Sequence, residues 1–242
     1  MNLCAVIMAS GFSERMGENK LLMKYRGKAL AEHVMDAVAK AGFAEIIVVT
    51  CHGAVAEMAR CRHLTVVEND HPELGQSRSV VLGMQAAMAW VPGIHAGVEC
   101  EAGVDASAGL EPGVNVGAAC DLGIRAGTAC KVENNGAVQG ISGLMFFPAD
   151  MPFLEPTVIR QLLDAFEGHP SAIVRPRYDG KPGSPVIFPM EMAGELCQIS
   201  GDNGGRQVIQ RHPEAVVSVD IVDKRQGVDV DDPQEAAYWL RS

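Results

Sequence analysis

No apolar run in this sequence approaches the roughly 18 residues that cross a bilayer as a helix, which excludes a helical membrane protein and predicts a soluble chain with no membrane partner. The opening Met1-Asn2-Leu3-Cys4-Ala5-Val6-Ile7-Met8 lacks the basic segment of a secretory leader and enters an apolar run at once, so a cytoplasmic location is expected. The seven cysteines (4, 51, 61, 100, 120, 130 and 197) are odd in number and contain no Cys-x-x-Cys pair. That excludes a disulfide framework and a four-cysteine zinc site, and leaves most of them as small buried hydrophobes. The seven histidines lack metal-ligand spacing and are assigned no chemistry. Net positive charge is missing too: a formal charge of −10 repels a polyanion at long range and argues against nucleic acid as the main partner.

One stretch runs against that balance. Between Gly11 and Lys28 stand Arg15, Lys20, Lys24, Arg26 and Lys28 against only Glu14 and Glu18, a basic patch beside the first glycine. It is either a solvated face or a site for anions.

A hydrophobic fraction of 48% over 242 residues fits one α/β domain spanning 1–242. Leu3 to Met8 is an apolar run closed by Ala9-Ser10-Gly11, the pattern of a buried strand breaking into a loop. Leu30, Val34, Met35 and Val38 recur at helical spacing, so 29–41 is predicted as a helix ending at Gly42. Strand then alternates with helix: 45–50, 54–61, 64–68 and 77–90. This alternation predicts βαβ units, and hence a three-layer α/β/α sandwich on a mostly parallel sheet. Gly143 to Pro148 predicts a strand delivering Asp150 at its carboxyl end, followed by a helix over 156–166. Open α/β sheets bind ligands at that edge, so an acid there is placed for chemistry. Further strands are expected at 172–175, 185–188 and 215–219, with helices at 203–210 and 233–240 and a sheet that becomes mixed near its end. Pro92 to Gly140 breaks the rhythm, with ten of the 26 glycines, and is read as an insertion forming a loop that acts as a lid or partner surface, in preference to a small β-helix.

The segment from Met8 to Leu22 carries the chemistry. Ala9, Ser10 and Gly11 are small enough for backbone N–H groups to approach a phosphate, while Arg15 offers a guanidinium fork and Lys20 a point charge. It is not a Walker A loop, since Lys20 is followed by Leu21-Leu22 and not by a hydroxyl residue opening a helix. Ser77, Arg78 and Ser79 either contact a base or, in the case of Ser77, cap the next helix; Asp202 is a candidate cap for 203–210. Asp229 and Asp231 flank Val230 in a strand-like alternation, so at most one reaches the site, with Asp231 favoured.

Met8-Ala9-Ser10-Gly11 with Arg15, Gly17 and Lys20 resembles the glycine-loop motif of nucleotidyltransferases related to molybdenum cofactor biosynthesis, with Met and Ser where Leu and Ala are usual. Gly75-Gln76-Ser77-Arg78-Ser79, Pro148-Ala149-Asp150-Met151-Pro152, Gly201-Asp202-Asn203-Gly204-Gly205-Arg206 and Gly227-Val228-Asp229-Val230-Asp231 are similar to further motifs of the molybdenum cofactor cytidylyltransferase branch. Ala149 stands where Gly is usual and Ser184 where His is expected, and the likeness covers nearly the whole chain outside Pro92 to Gly140. The resemblance implies a glycosyltransferase-A-like nucleotidyltransferase fold and transfer of CMP from CTP to a molybdopterin-type acceptor, with a molybdoenzyme as eventual recipient. It implies that Arg15 and Lys20 hold the triphosphate along the loop Ala9-Ser10-Gly11, with Ser79 among the nucleotide contacts. It implies Mg²⁺ on Asp150, completed by Asp229 or Asp231. In the guanylyl-transferring branch the position of Ser10 is typically Gly, so its side chain points to CTP.

Two alternatives differ in kind. One is a transferase using GTP or another triphosphate, or acting on a sugar phosphate. The other is a cofactor-delivery chaperone without turnover, docking through the insertion. An acid at a strand end together with Arg15 and Lys20 favours turnover, since binding alone does not require it.

Overall fold

The structure is a computed structural model that describes residues 2–11, 19–90, 140–231 and 233–239. Arg15 and all of the Pro92 to Gly140 insertion except Gly140 lie outside the described residues.

In chain order, β1 (Leu3–Ala9) leads to a hairpin of β2 (Lys24–Tyr25) and β3 (Lys28–Ala29), then α1 (Leu30–Ala39), β4 (Glu45–Thr50), α2 (Gly53–Arg60), β5 (Thr65–Glu68) and α3 (Gln76–Ala89). After the insertion come β6 (Gly143–Pro148), α4 (Pro156–Gly168), β7 (Ile173–Tyr178), β8 (Lys181–Pro182), β9 (Val186–Pro189), α5 (Ala193–Leu196), α6 (Arg206–Arg211), β10 (Val216–Ile221) and α7 (Pro233–Trp239). Eight strands among the described residues form one sheet in the order β10-β7-β9-β6-β1-β4-β5, with β8 on β7. β1 pairs parallel with β4 and β6, and β10 parallel with β7, while β9 runs against both β6 and β7. The expected mixing near the chain's end is therefore the inserted antiparallel strand β9, together with the short β8 that runs against β7.

The three layers follow from the period-2 alternation of β1. Leu3, Ala5, Ile7 and Ala9 face a core built with Val34, Met35 and Val38 of α1, Val55 and Ala59 of α2, and Ile159, Leu162 and Phe166 of α4. Cys4 and Val6 face the other core, with Val80, Leu82 and Met84 of α3, Leu196 of α5 and Val208 of α6. Among the cysteines of the described residues only Cys4 is fully buried; Cys51 and Cys197, just past β4 and α5, are half-buried, and Cys61 at the end of α2 is exposed. No helix among the described residues is long and apolar enough to cross a membrane.

Two helix starts overturn the expected caps. α3 begins one residue earlier than predicted, with Gly75 at its cap, so Ser77 lies inside the first turn and caps nothing; its hydroxyl is buried without a partner and its amide donates to the Gly201 carbonyl at 3.0 Å. α6 begins only at Arg206 with Gly205 as its cap, so Asp202 does not cap it either. Gly201 and Gly204, at φ +75° and +47°, turn the chain before the helix, and a left-handed backbone cannot continue one. The β2–β3 hairpin also escaped the sequence reading. Its turn places Arg26 and Gly27 at φ 47° and 83°, the paired left-handed geometry of a tight hairpin, without the Asn-Gly that usually announces it.

α3 lies so close to β1 that a Cβ on Gly83 would fall inside the contact radius of both Val6 methyls, and Val6 is wholly buried. A Gly in a helix interior ordinarily costs roughly 1 kcal/mol relative to Ala. Overpacking an immobile core costs about 1–3 kcal/mol and should win. Gly83→Ala is therefore expected to destabilise the protein in urea unfolding, and Val6→Ala to recover part of that loss in the double variant; a Gly83→Ala protein more stable than the parent would refute the close contact.

Arg62, just past α2, ties that helix to α1. Its Nε donates to Asp36 Oδ1 at 2.9 Å and its Nη2 to Glu32 Oε1 at 2.8 Å, and Glu32 Oε2 also accepts from the Ala29 amide at 2.8 Å. The Ala29 amide first, and then Arg62, holds the Glu32 carboxyl below its usual 4.5. Burial works against Asp36, but Lys28 and Arg62 outweigh it and hold that carboxyl below 3.8. Groups with depressed folded values contribute stability above their unfolded values and lose it as pH falls through the folded ones. Arg62→Met should thus cost about 1 kcal/mol at neutral pH, and the gap from wild type should narrow as pH falls below about 4; a gap independent of pH would remove the network from the stability balance.

Candidate active site

Starting from β1, the chain adds β4 and β5 on one side and then returns past β1 to place β6 on the other. The order reverses between β1 and β6, and ligands of open α/β sheets bind beyond the carboxyl ends of the strands at such a point. Met8 and Pro148 are register partners there, so the loop starting at Ser10 and the acid at Asp150 emerge side by side. A cleft of about 570 Å³ opens at this edge, lined by Ser10, Gly11, Lys20, Ser79, Asp150 and Asp231 among others.

Side chains of the β4–α2 turn hold the start of the loop after the strand ladder ends. Thr50 Oγ1 donates to the Ala9 carbonyl at 2.9 Å, Ser10 Oγ donates to the Val49 carbonyl at 3.2 Å, and His52 Nε2 donates to the Gly11 carbonyl at 3.0 Å. A carbonyl can only accept, so the ring carries its proton on Nε2. His52 thus buttresses the loop although histidine spacing had given it no role. Contacts 41 residues apart in sequence leave no spacing signal.

Lys20 opens a short 3₁₀ turn, Lys20–Leu22, which Asn19 caps by accepting from the Leu21 amide at 3.1 Å, while Leu21 is buried beneath it. The anchored turn aims Lys20 into the cleft, where its Nζ lies 2.6 Å from Asp150 Oδ2 and 2.7 Å from Asp231 Oδ1. Burial alone would lower the lysine's proton affinity, but the two carboxylates outweigh it and hold the ammonium above its usual value, so it is charged. The Val230 amide donates to the Asp150 carbonyl at 3.1 Å, bringing the C-terminal segment beside β6.

Asp229 and Asp231 do face opposite ways around the buried Val230. Asp231 meets Lys20 in the cleft, whereas Asp229 lines a second cavity of about 710 Å³. The two spaces share Met8, Gln76 and Asp202. Although Asp229 reaches solvent, the protein packed around its carboxyl, and then the charges of Asp231 and Asp150, push its proton affinity above the usual carboxylate value.

Of the residues singled out in the sequence, Ser10, Gly11, Lys20, Ser79, Asp150 and Asp231 come together in the cleft, and Ala9 is the buried last residue of β1. Ser79 Oγ accepts from Asn69 Nδ2 at 3.4 Å, which leaves its hydroxyl proton directed elsewhere. The sequence reading overlooked Thr50, Gln76 and the full reach of Asp202, which lies against Gly75 at the mouth shared by both cavities. Only the lack of room for a Cβ at Gly75 could have hinted at that contact.

Asp150 Oδ1 is buried with no hydrogen-bond partner. A buried carboxylate oxygen left unsatisfied is costly. One ammonium between two carboxylates leaves the site short of positive charge, and both acids offer hard oxygen donors. This donor set fits a hard divalent cation. No group of three or more His, Cys, Asp or Glu side chains among the described residues is placed to hold a metal ion, so phosphate oxygens and water would have to fill the positions that two carboxylates leave, as such cations prefer.

No curated protein matches the chain by sequence. Solved structures do match over its length. Rv0371c from Mycobacterium tuberculosis is 21% identical with both chains wholly covered and a TM-score of 0.64, and has also been solved as a complex with manganese. A nucleotidyl transferase from Methanothermobacter is 18% identical, covering 99% of this chain and 96% of its own, with a TM-score of 0.67. Molybdopterin-guanine dinucleotide biosynthesis protein A from Archaeoglobus fulgidus is 14% identical, covering 98% and 97%, with a TM-score of 0.59. At these identities the likeness establishes a shared fold. The family model described as the MobA-like NTP transferase domain matches residues 5–216, and the chain accordingly belongs to that nucleotidyltransferase family.

Proposed function

We propose that the protein transfers CMP from CTP to the phosphate of a molybdopterin-type cofactor, releasing pyrophosphate, as a Mg²⁺-dependent cytidylyltransferase. The observation that carries this reading is the convergence of Lys20, Asp150 and Asp231 on the glycine loop, with Asp150 Oδ1 buried and unpartnered. Asp150 and Asp231 are the residues that would hold Mg²⁺, which when bound supplies positive charge to the triphosphate. Ala9, Ser10 and Gly11 bring backbone close to the phosphates, and the ammonium of Lys20 stabilises charge on them together with Arg15. An oxygen of the acceptor phosphate forms the new bond to the α-phosphorus, and the bond to the β-phosphate oxygen breaks with its electron pair leaving on pyrophosphate. A phosphate monoester is largely dianionic at neutral pH and needs no general base, so the chain contributes mainly positioning and electrostatics. The second cavity suits the acceptor because it adjoins the cleft at Met8, Gln76 and Asp202.

Ser10 supports CTP as the donor. Its hydroxyl is turned back to the Val49 carbonyl, so its Cβ is what narrows the cleft. Added bulk beside the base disfavours a two-ring purine more than a one-ring pyrimidine.

Asp150→Asn keeps the side-chain size and removes the charge. It should lower Mg²⁺-dependent pyrophosphate release by at least about a hundredfold while leaving the melting temperature within a few degrees; release within roughly tenfold of wild type would take Asp150 out of the metal site. Steady-state kinetics should show wild type preferring CTP over GTP, with Ser10→Gly narrowing a preference of roughly 10- to 200-fold mainly through a higher kcat/KM for GTP. Ser10→Ala, which keeps Cβ and loses the hydroxyl, should retain the preference. Equal selectivity in wild type and Ser10→Gly would remove the steric basis for CTP.

A further inference from the structure

The second cavity contains a cation that its surroundings do not explain. Arg175 lies on β7 two residues beyond Ile173, so the alternation of the strand turns both to the same face. Ile173 is buried there with Phe146, Phe188 and Val208, and the cavity on this side takes its apolar walls from Phe146, Val186 and Phe188. Close packing fixes the Phe188 wall, since a Cβ on Gly205 would strike its ring. Arg175 is half-buried among them with its Nε enclosed and without a hydrogen-bond partner, and no carboxylate among the described residues pairs with its guanidinium. Arg62 is matched by Glu32 and Asp36, Arg78 by Asp70 and Arg177 by Asp220, whereas Arg206, which also lines the cavity, is exposed to solvent. The acids that line the second cavity are placed otherwise. Asp202 stands at the mouth shared with the cleft, and neither it nor Asp229 forms an ion pair with Arg175.

We infer that Arg175 is the anchor for an anionic group on a flat, largely apolar ligand of the second cavity, remote from the group that reacts at Asp150. An enclosed guanidinium without a counter-ion is unfavourable, and a planar fork of donors matches two oxygens of a phosphate or carboxylate at once. Aromatic walls next to that fork select an anion carried on an apolar body over a free inorganic ion. The assignment rests on the reading of this cavity as the acceptor's place, and it narrows the acceptor to a molecule with two separated anionic groups.

The test is direct binding by titration calorimetry with 2-naphthyl phosphate as an aromatic anion, 2-naphthol as its uncharged counterpart and inorganic phosphate as the bare ion, each on the full chain. Wild type should bind 2-naphthyl phosphate at least tenfold more tightly than either control. Arg175→Met, an apolar replacement suited to the same walls, should lose at least tenfold for the aryl phosphate while leaving 2-naphthol unchanged, and Arg175→Lys should recover only part of the loss because it lacks the fork. Lys20→Met should leave the aryl phosphate affinity unaltered, which locates the binding away from the cleft. Equal affinity of wild type and Arg175→Met, equal affinity for 2-naphthol and its phosphate, or no binding of the aryl phosphate would each overturn the assignment. Arg175-dependent binding in a protein that releases no pyrophosphate from any of the four nucleoside triphosphates would retire the transferase reading and leave Arg175 as the anchor. Turnover with unaltered binding in Arg175→Met would do the reverse.

Discussion

Lys20 reaches two carboxylates that the chain supplies from far along its length, Asp150 after the central strand β6 and Asp231, 211 residues from the lysine in sequence, just before α7. Everything else in the site is arranged so that this meeting can occur. The order in which strands are added must reverse between β1 and the parallel β6 to bring the loop and Asp150 to one edge, Leu21 must be buried to hold the turn that carries the lysine, and the C-terminal segment must return to the same edge after β10. A one-residue slip of β1 against β6 would exchange its two faces, sending Ile7 and Ala9 into the wrong core, so the same alternation that fixes the layers fixes the distance across the site.

The electrostatic logic of the molecule is local. Its overall charge of −10 speaks against polyanions, yet the stretch between Gly11 and Lys28 is basic in composition, and its Lys20 meets Asp150 and Asp231, with Asp229 beyond them. Those acids cannot all be satisfied by one ammonium: Asp150 keeps an oxygen without a partner, and Asp229 is held above the ordinary carboxylate range by crowding and by its neighbours' charge. A triphosphate alone would worsen that crowding. A triphosphate accompanied by a divalent cation relieves it, which is why a basic loop and an acidic cluster belong to one site.

The fold was legible in the sequence because period and punctuation are local. β4 and β6 fall on the predicted residues, and most other boundaries within about two, since each element carries its own pattern of burial and a glycine or proline at its end. Lys20, Asp150 and the pair Asp229 and Asp231 were legible for a related reason, each being set in a short motif of small residues. What escaped was what depends on contact at a distance. Nothing near His52 announces that its ring will meet Gly11, nothing near Asp202 that it will stand against Gly75 and not cap a helix, and nothing near Arg175 that it will enter a cavity without a counter-ion. The β2–β3 hairpin was missed because Arg26 takes the left-handed conformation that sequence rules reserve for Asn or Gly.

The order of cause around Asp231 can be settled by magnitude. Its side chain is about half exposed, at 53%, and an ion pair of that exposure contributes roughly 0–1 kcal/mol, too little to hold a chain segment in place. Val230 beside it is wholly buried with Tyr25, Leu30 and Ala236, and burying one such side chain is worth about 1.5–3 kcal/mol. Aromatic rings extend that contact, Tyr25 to Phe153 at 5.1 Å and Phe153 to Trp239 at 5.9 Å, while Arg225 lies over the Phe153 ring. The apolar latch therefore fixes the backbone, the Asp150 carbonyl and the Glu235 carboxylate take up the amides on either side, and the Asp231 carboxylate is presented to Lys20 as a consequence. A weak ion pair at the surface thereby acquires a fixed geometry, which a site that must release one phosphate-bearing product and accept the next substrate requires more than it requires strength.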